Sequence, residues 1–153
     1  MPDLFERLVL LKQSPVFSRV PTDDLRIVAQ AMEEQQYFAG ERIFEINEQG
    51  DQLYILVSGR IGLTHSPGSQ DKNYFATLGA GDILGEMNLL DDLPRSATAH
   101  VLEDTTVLAL EKTRLKGLIQ SYPEISIGIL RSLSLRLREV NARLAERRQE
   151  DGR

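Results

Sequence analysis

Between residues 35 and 112 this 153-residue chain breaks into short runs rich in Tyr, Phe, Ile, Val and Thr. The runs cover 36–38, 42–45, 53–58, 60–65, 74–78, 96–102 and 105–111. Glycines at 40, 50, 59, 79 and 81 separate them, together with the stretch His65-Ser66-Pro67-Gly68-Ser69. Many short strands at regular spacing, with no helical pattern between them, exclude a βαβ arrangement and point to an antiparallel sandwich or roll. The expected fold is mostly β with flanking helices.

Helical periodicity is confined to the two ends. Residues 4–12 and 23–33 read as short helices. In the second, Thr22 is the expected N-cap, Asp23 and Asp24 occupy the first turn, and Leu25, Val28 and Met32 recur at helical spacing. A proline-bounded connector spans 13–21. After Thr113, Leu115, Leu118 and Ile119 form one stripe, and Pro123 suits the first turn of a long last helix. The organisation expected is one domain over 1–153: helices in 1–34, a β region in 35–112, and helices in 113–150. At this length a chain buries about 68–70% of its unfolded surface without staples.

Charge and composition narrow the function. The net charge of −5 argues against a general nucleic-acid binder. There is no cysteine, which excludes disulfides and thiolate metal sites and permits a cytoplasmic location. The longest early apolar run, Leu8-Val9-Leu10-Leu11, is too short to span a bilayer. Residues 131–153 carry seven arginines against four acids, read as a solvated helix face.

One segment carries chemistry, Leu84-Gly85-Glu86-Met87-Asn88-Leu89-Leu90-Asp91-Asp92-Leu93-Pro94-Arg95-Ser96-Ala97-Thr98-Ala99. A guanidinium fixed beside Pro94 offers parallel charge-assisted donors to one small anion, each worth about 1.5–3 kcal/mol. Residues Gly85 to Leu89 can form one helical turn whose free N–H groups face the same anion. A carboxylate, Glu86, belongs at a neighbouring hydroxyl rather than at the anion. The plainer readings are an Arg95 paired with Asp91 or Asp92 at the surface, and a Glu86 that serves the local helix dipole.

On these residues the chain resembles the cyclic-nucleotide-binding domain family, and the segment resembles its phosphate-binding cassette. The likeness extends to Phe17 and the helix after it, Ile43-Phe44, Leu53 to Gly59, Gly81-Asp82 and both C-terminal helices. It implies an antiparallel β-roll flanked by helices, a single domain with its cassette at 84–99, and a C-terminal helix that closes over the base. It further implies Glu86 at the ribose 2′-hydroxyl and Arg95 at the cyclic phosphate. Gly85, Met87, Asn88 and Ala97 are then backbone donors or points of close approach, and Ser96 adds a hydroxyl. Leu63 lines the base pocket, with core packing as its plain alternative; Asn141 falls near the lid, with solvent exposure as its alternative. Two positions depart from the family pattern: Asn88 stands where Ala, Gly or Ser is usual, and Asn47 replaces a turn glycine. Asparagine tolerates a left-handed backbone.

No catalytic motif is present. Gly79-Ala80-Gly81-Asp82-Ile83-Leu84-Gly85 lacks dinucleotide-loop spacing, Asp91-Asp92 reads as a solvated loop rather than a metal site, and neither His65 nor His100 stands at a motif spacing. Leu130, Leu133, Leu137, Val140 and Leu144 are spaced 3, 4, 3, 4, an a/d seam of two heptads. It either pairs with a twin in a homodimer or lies back on the roll as a private lid. The expectation is a cytoplasmic, non-enzymatic sensor of a 3′,5′-cyclic purine nucleotide, cAMP before cGMP. It uses no metal or other cofactor, inserts in no membrane, contacts no nucleic acid itself, and acts on an output partner or domain outside this chain. A ligand-free dimerisation module on the same fold is the alternative. Arg95→Ala is expected to weaken binding with little effect on stability.

Overall fold

The computed structural model describes residues 2–66 and 73–151. Two helices, α1 (Leu4–Gln13) and α2 (Thr22–Ala31), precede the strands β1 (Glu33–Tyr37), β2 (Arg42–Phe44), β3 (Gln52–Thr64), β4 (Ala76–Leu78) and β5 (Ile83–Leu84). A short helix α3 (Glu86–Leu90) leads to β6 (Thr98–Glu111), then α4 (Lys112–Ser121) and α5 (Glu124–Asp151).

The long strands β3 and β6 form an antiparallel spine, paired from Gln52↔Glu111 to Thr64↔Thr98. At one end β1 adds to β6 and β5 to β3; at the other, β2 adds to β6 and β4 to β3. The result is the mostly antiparallel roll expected. It holds fewer, longer strands than the sequence runs, because the glycine at 59 does not end a strand. There the register slips between Leu56 and Ile61. Gly59 takes a φ of 104°, and a Cβ on it would lie 2.6 Å from the Thr105 Cα. A bulge of this kind bends a strand while keeping it in the ladder. Runs 53–58 and 60–65 are therefore one strand, as are most of 96–102 and 105–111. The turn residues Pro67-Gly68-Ser69 lie outside the described residues.

Both faces of the spine are covered. Leu53, Ile55, Leu108 and Leu110 pack against Phe17, Leu25, Val28 and Ile125 of the helical layer. Their neighbours Tyr54, Leu56, Val107 and Ala109 face the roll interior with Phe44, Ile61, Leu84 and Val101. That is why four consecutive residues, Leu53 to Leu56, are all buried rather than alternating with polar ones.

Element ends differ from expectation where tertiary pairing wins. Thr22 is the first residue of α2, not its cap; Pro21 occupies that position, and no side chain caps the helix. The helix stops at Ala31 and Glu33 already pairs with Ala109, so β1 begins before the expected 36–38 run. Pro123 lies just before α5 rather than inside its first turn, and α4 begins at Lys112.

Helix α5 is anchored near its start and exposed afterwards. Ile125, Gly128, Ile129 and Ser132 are its buried residues. Ser132 Oγ accepts from the Arg19 N–H at 2.9 Å and donates to the Gly128 carbonyl at 2.9 Å. From Ser134 to Asp151 every residue is exposed, so α5 does not lie back along the roll as a private lid. The heptad seam stands open, with Leu130 at 65% and Leu137 at 61% exposure, while Leu133 touches the helical core. No helix among the described residues is long and apolar enough to cross a membrane.

Gly128 is the tightest point of this anchor: a Cβ there would meet the Val20 Cα at 2.6 Å and its N at 3.0 Å. Backbone cannot step aside as a flexible side chain does. Gly128→Ala is expected to cost about 1–3 kcal/mol by overpacking, a fall in Tm of roughly 2–10 °C at this chain length. An unchanged melting curve by circular dichroism would show that α5 is not held there.

Candidate ligand-binding site

Arg95 is positioned by its backbone before its side chain does anything. The turn 47–50 passes beside it: the Asn47 N–H donates to the Arg95 carbonyl at 2.9 Å, and the Arg95 N–H donates to the Glu48 carbonyl at 2.7 Å. Asn47 holds that turn with a φ of 72°, the left-handed conformation for which asparagine substitutes for glycine. The side chain then threads between two glycines. A Cβ on Gly50 would lie 2.4 Å from Arg95 Nε, and one on Gly85 would lie 2.3 Å from Nη1.

The guanidinium ends over the Phe44 ring, 4.1 Å from its centroid, with the Tyr54 ring at 5.9 Å. Nη2 donates to the Gln52 carbonyl at 2.9 Å and Nη1 to Asn88 Oδ1 at 3.0 Å, while buried Nε has no partner. Arg95 is 3% exposed, and none of the ion pairs among the described residues includes it. The surface pairing with Asp91 or Asp92 is therefore set aside. Burial pulls the guanidinium below its ordinary pKa, opposed by Tyr54 and by the Asp51 and Glu48 carboxylates. A buried cation hydrogen-bonded only to neutral acceptors is costly, and an anion entering the site would relieve that cost. Removing this side chain would also remove buried packing, so Arg95→Ala is now expected to lower stability as well as binding, where the sequence alone suggested little effect on stability.

Arg95 opens onto a cavity of about 480 Å³, within the usual range for small-molecule sites. The cavity brings together Gly85, Glu86, Met87, Asn88, Arg95, Ser96 and Ala97, with Leu63 on its wall. Met87 is nevertheless 61% exposed and Ser96 also faces solvent. Asn141 is not at the cavity; it sits on the exposed length of α5. The α5 residue that reaches it is Arg136, whose Nη1 lies 3.7 Å from Glu86 Oε1. Five residues along a helix turn about 140° around its axis, so both positions cannot face one site. Arg136 was hidden within an arginine-rich face that reads as solvated.

Phe44, Phe75 and Pro15 also line the cavity. They were missed because they come from three segments far apart in the chain. Phe75, 53% exposed, carries the ring of His65 stacked at 4.2 Å. His100 is buried in β6, with the Tyr74 ring 5.9 Å away. Among the described residues no cluster of His, Asp or Glu could hold a metal.

The tip of the loop is tied down rather than simply solvated. Lys112 Nζ donates to the Asp91 carbonyl at 2.8 Å and also bonds the Asp92 carboxylate. That bond holds the Asp92 carboxyl below its ordinary pKa. The loop is thereby fastened to the first residue of α4.

Fold and site together define an antiparallel β-roll with a buried guanidinium opening onto a cavity of small-molecule size. The chain belongs to the cyclic nucleotide-binding domain family, whose sequence profile matches residues 34–122. The cyclic AMP receptor protein of Thermus thermophilus is 32% identical over 134 residues, covering 88% of this chain and 62% of the relative. The CRP-like cAMP-activated global transcriptional regulator of Mycobacterium tuberculosis is 27% identical over 137 residues, covering 90% and 61%. This chain thus spans about three fifths of those regulators. The solved N-terminal domain of a transcriptional regulator from Streptomyces coelicolor superposes with a TM-score of 0.76 at 28% identity, covering 87% of this chain and 92% of the other.

Behind Arg95, burial pushes the Tyr54 phenol up to about 12, reinforced by Tyr37 beside it. A phenol whose folded pKa is raised stabilises the fold fully below its ordinary value and loses that contribution as pH climbs through the folded value. Stability is therefore expected to decline between about pH 10 and 12. Tyr54→Phe should flatten that decline in melting curves taken across this window; an unaltered decline would place its cause elsewhere.

Proposed function

We propose that the cavity binds a 3′,5′-cyclic purine nucleotide, with cAMP favoured over cGMP, and that the chain is a sensor without catalysis of its own. The observation that carries this reading is the buried Arg95 guanidinium, which has neutral acceptors only and opens onto a cavity of about 480 Å³. A cyclic phosphodiester brings one diffuse negative charge and two oxygens to those donors. Glu86, on the same wall, accepts from the ribose 2′-hydroxyl. The mixed apolar lining from Leu63, Phe75 and Pro15 suits a purine face. The cAMP preference is supported by the names of the two regulators rather than by any base-reading group in the cavity.

Transmission runs through α5. A ribose hydroxyl that engages Glu86 competes with Arg136 for the same carboxylate, and so changes how α5 is held at the cavity mouth. The open seam from Leu130 to Leu144 is the surface proposed to pair with a second copy. An output domain or separate partner receives the change. Asn88 favours a second reading, a scaffold whose pocket goes unfilled, because its amide already occupies one Arg95 donor.

Calorimetric titration with cAMP and cGMP separates the readings, since absence of heat at millimolar nucleotide favours the scaffold. Arg95→Ala is expected to remove about 2–4 kcal/mol of binding through lost charge-assisted bonds. It should also lower the melting temperature without ligand, as deletion of a buried side chain does. In the same titration, 2′-deoxy-cAMP is expected to bind about tenfold to a hundredfold more weakly than cAMP, because the bond from the 2′-hydroxyl to Glu86 is not made. Glu86→Ala should erase that difference; a difference that survives would remove Glu86 from the ribose.

A further inference from the structure

We propose that Asn88 is an internal competitor for the ligand: its side-chain oxygen takes a donor of Arg95 that a phosphate oxygen also needs, and so sets the affinity of the site. The inference rests on the nucleotide reading above and adds to it the residue that tunes the threshold.

The geometry points to competition rather than support. Asn88 is buried, 6% exposed, and its carboxamide is held at both ends. Nδ2 donates to the Leu93 carbonyl across the loop, which aims Oδ1 at Arg95 Nη1, 3.0 Å away. A carboxamide oxygen is the weaker acceptor for a guanidinium, since a charged oxyanion forms the shorter and stronger bond. Asn88 therefore satisfies the buried cation partly, without neutralising it, and a ligand oxygen that approaches Nη1 along the N–H held by Asn88 must take over a bond already made.

The orientation of Arg95 does not depend on Asn88. Its backbone is bonded on both sides to the 47–50 turn, Nη2 is held by the Gln52 carbonyl, and the plane lies on Phe44 between Gly50 and Gly85. Deleting the amide thus leaves the guanidinium in place with one more free donor. That free donor raises the energy of the unliganded protein more than that of the complex. The two effects are linked: what Asn88 adds to stability without ligand, it takes from affinity.

The test is calorimetry with cAMP on the full chain and on Asn88→Ala, with melting curves in the presence and absence of nucleotide. Asn88→Ala is expected to bind about tenfold more tightly, to melt lower without ligand, and to regain most of that difference at saturating cAMP. Asn88→Ser, whose hydroxyl is one bond shorter than the amide oxygen, is read in the same way should the alanine variant not fold. Equal or weaker binding by the variant, with the unsubstituted chain binding normally, overturns the inference and makes Asn88 a support or a direct ligand. If the unsubstituted chain takes up neither cAMP nor cGMP, the nucleotide reading fails and the competitor fails with it.

Discussion

A single buried cation organises this half of the molecule. The Arg95 guanidinium cannot be stripped of water cheaply, so the chain around it is built to hold it at one place and to leave it incompletely answered. That requirement explains residues which otherwise look unrelated. Gly50 and Gly85 lack side chains because the arginine runs where those side chains would be. Asn47 turns the backbone so that the 47–50 loop bonds the main chain of Arg95 on both sides. Phe44 supplies a ring face, which tolerates a cation without discharging it. No carboxylate among the described ion pairs reaches it: Asp92 is taken by Lys112 and Glu86 by Arg136.

The roll makes this possible by being covered on both sides. The interior face of β3 and β6 forms the apolar wall behind Arg95, while the other face packs on the helices. The same helical layer fixes the first turns of α5, through the close contact of Gly128 with Val20 and the bonds of Ser132. Cavity and helix thus rest on the two faces of one pair of strands. They meet at Glu86 and Arg136, an ion pair half open to solvent, and therefore weak enough to exchange partners.

Much of this was legible in the residues. The switch from helical spacing to short β runs and back located the roll and its flanks, because those periods follow directly from which faces must be buried. The loop from Leu84 to Ala99 could be singled out through Gly85, Glu86 and Arg95, which the fold brings to one cavity. Strand limits were less legible. Gly59 reads as a turn residue, and only the pairings of Ser58 with Thr106 and of Arg60 with Glu103 show that the ladder continues past it with a slip in register. Arg136 was out of reach, since an arginine on an arginine-rich helix face reveals its partner only when the cassette is folded against it.

By itself, the amino-acid sequence determined the kind of elements, their order and the charged groups of the site, since propensity, periodicity and short-range spacing act within a few residues. Tertiary structure decided the rest. It buried Arg95 where spacing alone also allowed a surface arginine, turned Asn88 into its partner, put Arg136 rather than Asn141 at the cavity, and left the α5 seam exposed. Those outcomes depend on which distant segments meet, and on how far a helix has rotated when it arrives. Neither is written in any local stretch of chain.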